Sequence, residues 1–348
     1  MIHYLTNKAQ LGLMFVAGLG AMFSSLAPKE AYAGGFEPKT MQDTFEPNVV
    51  DRWLVIGKGW IQLDVTADCK VSRGYWDENG VATDFEDTQW TFTSQKYDLT
   101  YGLTRYSQLS WTMQTHYVHL QNDLLGTDST QFGLGDPILG YKYELFRTIK
   151  PLTSLAVYAR YKAPLANEAP GNYVGGPNTF SAFVFTSGTP DFTSGVQLKK
   201  GFGPAAVTVD LGYKYRIAGL TLYAIETNLN QFMMRIKPGD VAHAKVDLDL
   251  QLGPAFLGAS ALFQHRAAFR IGNTALGIDP NKNLEEIQGS DGWSLDASGT
   301  VGFSVGHRLD ILGTVWVPLR GEDLQFFPIE DIHPTYGNTY SATMRYRF

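Results

Sequence analysis

Three histidines, His116, His243 and His265, are the first candidates for catalysis in this sequence. A serine hydrolase needs a nucleophilic serine beside a histidine and a third group that orients the ring. None of the three has an evident serine and an acidic or amide partner in a matching register, and a lone histidine is a weak signal. We therefore predict a protein that is not an enzyme, with no catalytic residue, no metal site and no cofactor.

A second kind of candidate is a charged side chain that alternates with apolar neighbours. From Ile61 to Val71 every second residue is apolar or small, and the intervening residues, Gln62 to Ser72, are polar. A period of two indicates a β-strand. The stretch meets the ~9–11 residues that a tilted membrane-spanning strand needs. Cys69 falls on the apolar face, where we expect it to act only as a small hydrophobic residue.

The same alternation recurs and predicts twelve strands, near residues 60–72, 90–103, 109–117, 139–145, 155–162, 192–199, 207–216, 244–251, 257–266, 293–305, 309–320 and 339–348. In the second strand the alternation slips near 94–96, which we interpret as a β-bulge. A soluble sandwich would also alternate. The segment 217–240 is unusually apolar for a loop, and a hairpin hidden in it would raise the count to fourteen.

The links between the predicted strands alternate strictly between short and long. The short ones lie near 104–107, 146–151, 200–204, 253–255 and 306–308. Bacterial barrels alternate short periplasmic turns with longer external loops. The pattern therefore predicts an all-β fold, a transmembrane antiparallel β-barrel of about twelve strands with its short turns in the periplasm. Moving a strand by one residue would turn its charged groups toward lipid, so the charges are expected to face inward.

Composition and the N-terminal segment agree with an exported protein. The chain is 44% hydrophobic and 13% aromatic with a formal net charge of −6, and nothing in it suggests nucleic acid as a partner. Lys8, an apolar run over 11–26 and the motif Ala31-Tyr32-Ala33 predict a signal peptide over 1–33. We expect 34–52 to be a periplasmic segment, with a plug inside the barrel as the alternative, and 53–348 to be the barrel.

The last strand alternates aromatic and apolar residues, including Tyr346 and Phe348, with polar ones. It resembles the C-terminal signature of bacterial outer-membrane barrels. That resemblance implies that the strand closes the ring against the first strand. It also implies that Phe348 and Tyr346 form the signal bound by the barrel-assembly machinery, and that the protein lies in the bacterial outer membrane.

Inward-facing groups near the outer ends of the strands are the candidate solute-binding residues. They give a net basic mouth, which favours anions, and they are Arg160, Lys162, Lys214, Arg216, Arg266 and Arg320, together with Asp136 and Tyr158. Two alternatives stay open. Opposite charges would pair with one another in a partly closed lumen, or the basic groups would bind lipopolysaccharide phosphates at the rim.

The longest link, 163–190, carries an apolar run that includes Phe180, Phe183 and Phe185. Loops beyond about 12–15 residues without structure of their own are usually functional or disordered. We predict that the three phenylalanines fold inward as an apolar constriction. The alternative is that the run packs above the membrane as a cap.

Short motifs in order along the chain resemble an outer-membrane family named for phenol meta-pathway degradation. They include Tyr101-Gly102-Leu103-Thr104, Gly133-Leu134-Gly135-Asp136, Gly140-Tyr141-Lys142-Tyr143 and Gly212-Tyr213-Lys214-Tyr215. The resemblance implies a channel for passive uptake of aromatic or other hydrophobic compounds, aromatic acids among them. A structural or adhesive barrel is the alternative, and an outer-membrane lipid hydrolase is a third. Expected partners are outer-membrane lipid, lipopolysaccharide, the assembly machinery and a small solute.

Overall fold

The computed structural model describes most of the chain from Val49 to Phe348. The described residues are 49–72, 74–77, 79–84, 88–122, 127–149, 152–164, 189–224, 231–272, 284–286, 288, 290–305 and 308–348 without 323–334. The predicted signal peptide, 1–33, lies outside them. The predicted segment 34–52 is described only from Val49 onward.

Twelve long strands form the body of the molecule. In chain order they are β1 (Ile61–Ser72), β2 (Thr88–Gly102), β3 (Ser107–Asn122), β4 (Ile138–Ile149), β5 (Leu152–Lys162), β6 (Asp191–Phe202), β7 (Ala205–Arg216), β8 (Val241–Leu252), β9 (Ala255–Arg266), β10 (Gly292–Val305), β11 (Leu309–Glu322) and β12 (Thr339–Arg347).

Each strand pairs antiparallel with its neighbours in the sequence, and the ring closes where β12 pairs with β1. The backbones of Ile61 and Phe348 exchange two hydrogen bonds of 2.9 Å at this seam. The prediction of a closed antiparallel barrel of twelve strands is confirmed. The predicted alternation of short and long links is also confirmed. Short turns join β2 to β3, β4 to β5, β6 to β7, β8 to β9 and β10 to β11.

The suspected hairpin within 217–240 exists but does not enter the barrel. Gly219–Ala224 pairs with Gln231–Lys237, which continues onto Arg270–Gly272 and Glu285–Glu286. These strands form a separate four-stranded sheet beyond the long-loop end, while β7 pairs directly with β8. The strand count is therefore twelve and not fourteen.

The register differs from the predicted one in β2. The ladders of β2 with β1 and β3 run without a shift, so the bulge predicted near 94–96 is wrong. Polar residues such as Gln95 simply occupy outward positions there. Bulges occur instead at Leu145 in β4 and at Leu319 in β11. Because an extra residue reverses the alternation beyond it, each bulge changes which side chains face inward.

The outer face of the barrel is apolar, and the inner face is polar. Aliphatic side chains at outward positions are about half exposed, among them Leu211, Val246, Leu248, Ile311 and Met344. Aromatic side chains lie at both ends of this belt, for example Phe202, Phe303 and Phe348 at the short-turn end and Tyr161, Phe192 and Tyr215 at the other. This is the arrangement of a transmembrane barrel. Among the described residues, no helix is long and apolar enough to cross a membrane.

Two of the short turns are built by the same dipeptide. Gly203-Pro204 joins β6 to β7 and Gly253-Pro254 joins β8 to β9, with φ of 65° at Gly203 and 62° at Gly253. A two-residue hairpin of type II′ needs a positive φ at its first central position, which glycine adopts without strain. The dipeptide therefore holds the two pairs of strands in register.

Candidate functional site

The middle of the lumen contains a hydrogen-bonded group of side chains from four adjacent strands. The Tyr158 hydroxyl donates to Asp210 Oδ1 at 2.9 Å and lies 3.1 Å from His243 Nε2. Gln197 Nε2 donates to the other oxygen of Asp210 at 2.7 Å. The group joins β5, β6, β7 and β8 across the inner wall. It contains no serine, so it does not have the composition of a Ser-His catalytic site.

Inward-facing glycines make room for this group. A Cβ atom at Gly212 would lie 2.5 Å from the Tyr158 hydroxyl oxygen and closer still to the His243 ring. A Cβ atom at Gly195 would meet the same tyrosine, and one at Gly140 would meet Ser110. The motif Gly-Tyr-Lys-Tyr thus has a structural meaning. Its glycine accommodates a neighbour's side chain inside the barrel, its tyrosines face outward, and its lysine faces the lumen.

Cationic and aromatic groups meet at this level of the lumen. The guanidinium carbon of Arg160 lies 5.1 Å from the centre of the Tyr158 ring, and the Arg160 side chain is exposed within the lumen. Lys245 Nζ on β8 lies 5.7 Å from the ring of Trp316 on β11 and 2.7 Å from Asp247 Oδ1. Because β8 and β11 are three strands apart, the Lys245–Trp316 contact crosses part of the lumen.

At the long-loop end, several of the predicted basic groups are buried and not open to solute. Lys162 is 6% exposed, and its Nζ lies 2.9 Å from Asp191 and 3.7 Å from Asp136. Arg216 is 1% exposed. Arg266 is 7% exposed, and its Nη2 donates to the carbonyl oxygen of Ser290 at 3.2 Å. For Lys162, these contacts agree with the alternative in which opposite charges pair with one another inside the lumen.

The remaining two basic candidates lie on opposite faces. Lys214 pairs with Thr193 in the ladder, faces the lumen and is half-buried. Arg320 was predicted to face inward, and this is wrong. The bulge at Leu319 places Arg320 opposite Leu295 on the outer face, where its guanidinium lies 5.9 Å from the centre of the Trp293 ring.

The constriction residues Phe180, Phe183 and Phe185 lie outside the described residues, so an inward fold of this loop stays a prediction. The terminal residues are described. Tyr346 and Phe348 both face outward, and their ring centroids are 5.8 Å apart. Their position at the seam agrees with the predicted closing strand, and their role as an assembly signal stays a prediction.

At the short-turn end, the chain that precedes β1 enters the lumen. Val49 N donates to Gln251 Oε1 at 2.9 Å, and Lys199 Nζ donates to the carbonyl oxygens of Val49 and Arg52, both at 2.9 Å. Arg52 makes two hydrogen bonds to the carboxylate of Asp310, of 2.6 and 3.0 Å. Burial lowers the pKa of Arg52, and the hydrogen bonds and negative charge of Asp310 oppose this shift.

The same segment continues across to the other side of the barrel. Lys142 Nζ on β4 donates to the carbonyl oxygen of Leu54 at 3.4 Å, and Ile56 N donates to Gln108 Oε1 on β3 at 2.9 Å. We call residues 49–56 the floor segment. Its contacts reach five strands, β11, β8, β6, β4 and β3, which are distributed around most of the ring.

Sequence reasoning missed Arg147 at this end. Arg147 faces inward only because the bulge at Leu145 reverses the alternation of β4. It pairs with Glu144, which also accepts a hydrogen bond from Ser154, and its guanidinium lies 4.3 Å from the centre of the Trp53 ring. The bulge leaves no clear signal in the sequence. Lys199 and Asp310, by contrast, lie at inward positions that the alternation did identify.

The fold and the lining define a class of protein, a transmembrane β-barrel of the outer-membrane type. Among the described residues, no group of three or more His, Cys, Asp or Glu side chains is arranged to hold a metal ion. No family model matches the sequence, and no curated protein matches it.

Solved structures do share the fold. An outer membrane channel from Pseudomonas putida F1 is similar over 88% of this chain and 100% of that chain, with 13% identity and a TM-score of 0.61. The translocator domain of the autotransporter NalP from Neisseria meningitidis is similar over 84% of this chain and 89% of that chain, with 12% identity and a TM-score of 0.45. A monoaromatic hydrocarbon channel, CymD, is similar over 84% of this chain and 88% of that chain, with 8% identity and a TM-score of 0.38. The first likeness shows the fold; the other two are too weak to support an argument.

Proposed function

We propose that this protein is a channel of the bacterial outer membrane for the passive uptake of small molecules. The observation that carries the proposal is the closed barrel of twelve strands, apolar outside and lined inside by polar and charged groups. A membrane-spanning wall of this kind is stable only in lipid. Outer-membrane lipid and lipopolysaccharide are then its surroundings, and the barrel-assembly machinery inserts it. The solved channel with the same fold adds support for the class.

We further propose that the solutes are aromatic or other hydrophobic compounds, including aromatic acids. Trp316 faces the lumen with the cationic group of Lys245 beside its ring, and Arg160, which packs on the buried Tyr158, is exposed within the lumen. A benzoate-like solute would stack on such a ring and place its carboxylate near the cation. The sequence resemblance to the phenol meta-pathway family points to the same solutes. The predicted constriction by Phe180, Phe183 and Phe185 would add to this selectivity.

The two alternative functions, adhesion and lipid hydrolysis, require structural features different from those of a channel. A structural or adhesive barrel needs no passage, and a lipid hydrolase needs a nucleophile beside a histidine at the outer leaflet. His243 is instead hydrogen-bonded within the wall to Tyr158, and its Nε2 lies 3.6 Å from Asp210 Oδ1. None of these contacts supports hydrolysis, and no described observation favours adhesion.

The test is transport by the purified protein. Reconstituted into planar bilayers, it should conduct ions, and in liposomes it should admit aromatic acids faster than sugars of similar size. A matched panel of aromatic acids, alkanes and sugars separates the two parts of the proposal. Conductance without preference for aromatic solutes would contradict the substrate class alone. A barrel that is folded but admits neither ions nor solutes would contradict the channel function.

A further inference from the structure

The floor segment occupies the short-turn end of the lumen, where any solute that crosses the barrel must pass. Its two halves are held on opposite parts of the wall: Val49 and Arg52 by β6, β8 and β11, and Leu54 and Ile56 by β3 and β4. A chain that is fixed at both halves lies across the opening instead of along one side of it.

The segment is packed as well as tethered. Val50 and Val55 are 2% and 1% exposed, which makes them core residues inside the lumen. The Trp53 ring is covered by the Arg147 guanidinium. Burial of apolar side chains excludes water from the space between the segment and the wall. The floor segment therefore narrows the route for both water and solute.

The charges that hold the segment form a compact latch. Asp310 accepts hydrogen bonds from Arg52 and lies 2.9 Å from Arg347 Nη2, so two guanidinium groups share one carboxylate. Arg347 is the last residue of β12, and Asp310 is the second residue of β11. The latch therefore joins the floor segment to β11 and to β12, the strand that closes the ring.

We propose that the floor segment, residues 49–56, is the selectivity constriction of the channel and sets the upper limit on the size of the solute. This inference rests on the proposed channel function. It assigns the limit on solute size to the short-turn end, whereas the sequence predicted a constriction in the loop 163–190. Because Val50 and Arg52 lie outside the strands, the floor segment can be altered while the barrel ladder stays intact.

The main variant replaces 49–52 by Gly-Ser-Gly-Ser, and the milder variant is Arg52→Gln, which breaks the latch alone. Arg105→Gln is the matched control, since Arg105 is an exposed arginine in the turn between β2 and β3 at the same end. Heat-modifiable migration on gels establishes that each barrel is folded. Single-channel conductance and liposome swelling with sugars of increasing size are then compared with the parent protein.

The replacement should raise conductance severalfold and admit larger sugars, Arg52→Gln should do so to a smaller degree, and Arg105→Gln should behave as the parent. A folded replacement variant with the parent's conductance and size limit would overturn the inference and leave the channel function standing. If the replacement does not fold, Arg52→Gln decides in the same way. Absence of any conductance in the parent and in both folded variants would overturn the channel function and, with it, the role of the floor segment as a constriction.

Discussion

Gly212 on β7 lies directly beside the hydroxyl group of Tyr158 on β5, two strands away. A Cβ atom at this glycine would come within 2.5 Å of the hydroxyl oxygen, so the phenol side chain rests where a side chain at 212 would be. Gly195 on β6, the strand between them, pairs with Gly212 on one side and with Tyr158 on the other. The tyrosine therefore lies along the wall and reaches Asp210, instead of projecting into the lumen.

The variant Gly212→Ala should displace Tyr158 into the lumen, because the added methyl group would lie only 2.5 Å from its hydroxyl oxygen and closer still to the His243 ring. Conductance should fall, and loss of the hydrogen bond to Asp210 should lower the free energy of unfolding by about 1 kcal/mol. Gly299→Ala is the matched control, since nothing lies within 4 Å of its Cβ position. Equal conductance for the two variants would contradict the proposed placement of Tyr158.

Arg160→Gln should shift ion preference toward cations, because it removes an exposed cationic group from the middle of the lumen. Two unit charges 4 Å apart in water interact by about 1 kcal/mol, so we expect a several-fold fall in the ratio of anion to cation permeability. Reversal potentials in a salt gradient measure that ratio. Lys200→Gln removes the same charge beside Phe202 on the outer face and should leave the ratio unchanged. A shift of equal size in both variants would show that Arg160 has no special place in the passage.

Val246→Lys should destabilise the protein, because residue 246 faces outward at the middle of β8 and is 45% exposed. A lysine at the bilayer midplane costs about 2–4 kcal/mol. Thr208→Lys is the control, since Thr208 lies opposite the inward Asp247 and a lysine there faces the lumen and not the hydrocarbon. Unfolding by urea in liposomes measures both free energies. A larger loss for Thr208→Lys than for Val246→Lys would mean that the two faces are assigned the wrong way round.

The orientation in the membrane is tested by cysteine labelling in a Cys69→Ala background. Asn79→Cys lies in a link at the long-loop end and should react with an impermeant maleimide on intact cells. Arg105→Cys lies in a short turn and should react only after the outer membrane is opened. Labelling of Arg105→Cys from outside, with Asn79→Cys protected, would reverse the proposed orientation.

Phe348→Asp should leave the protein outside the membrane, whereas Phe348→Tyr should assemble normally. The aspartate variant retains the two backbone hydrogen bonds to Ile61, so a defect would reflect the lost aromatic group and not the lost ladder. The amount of heat-modifiable protein in outer-membrane fractions measures assembly. Normal assembly of the aspartate variant would rule out Phe348 as part of the recognition signal.

The sequence by itself determined the twelve long strands and the face on which most of their side chains lie, and it left open whether a hairpin within 217–240 joins the barrel. A period of two combined with charged groups such as Asp210 and Lys245 leaves one orientation in lipid, since the reverse would place charge against hydrocarbon. The inward positions of Tyr158 and Arg160 follow from that rule alone. The closing role of the last strand was implied by its resemblance to the C-terminal signature of outer-membrane barrels, and the structure confirms it by pairing β12 with β1.

Only the tertiary structure decided where the alternation is interrupted and what fills the lumen. The bulges at Leu145 and Leu319 turn Arg147 inward and Arg320 outward, and a single extra residue leaves no distinct pattern in a strand that is already mixed in polarity. The floor segment has no periodicity because it forms no ladder. Its place depends on contacts such as Arg52 with Asp310, which are 258 residues apart. Such a contact exists only once the ring has closed and brought β11 around to the start of the chain.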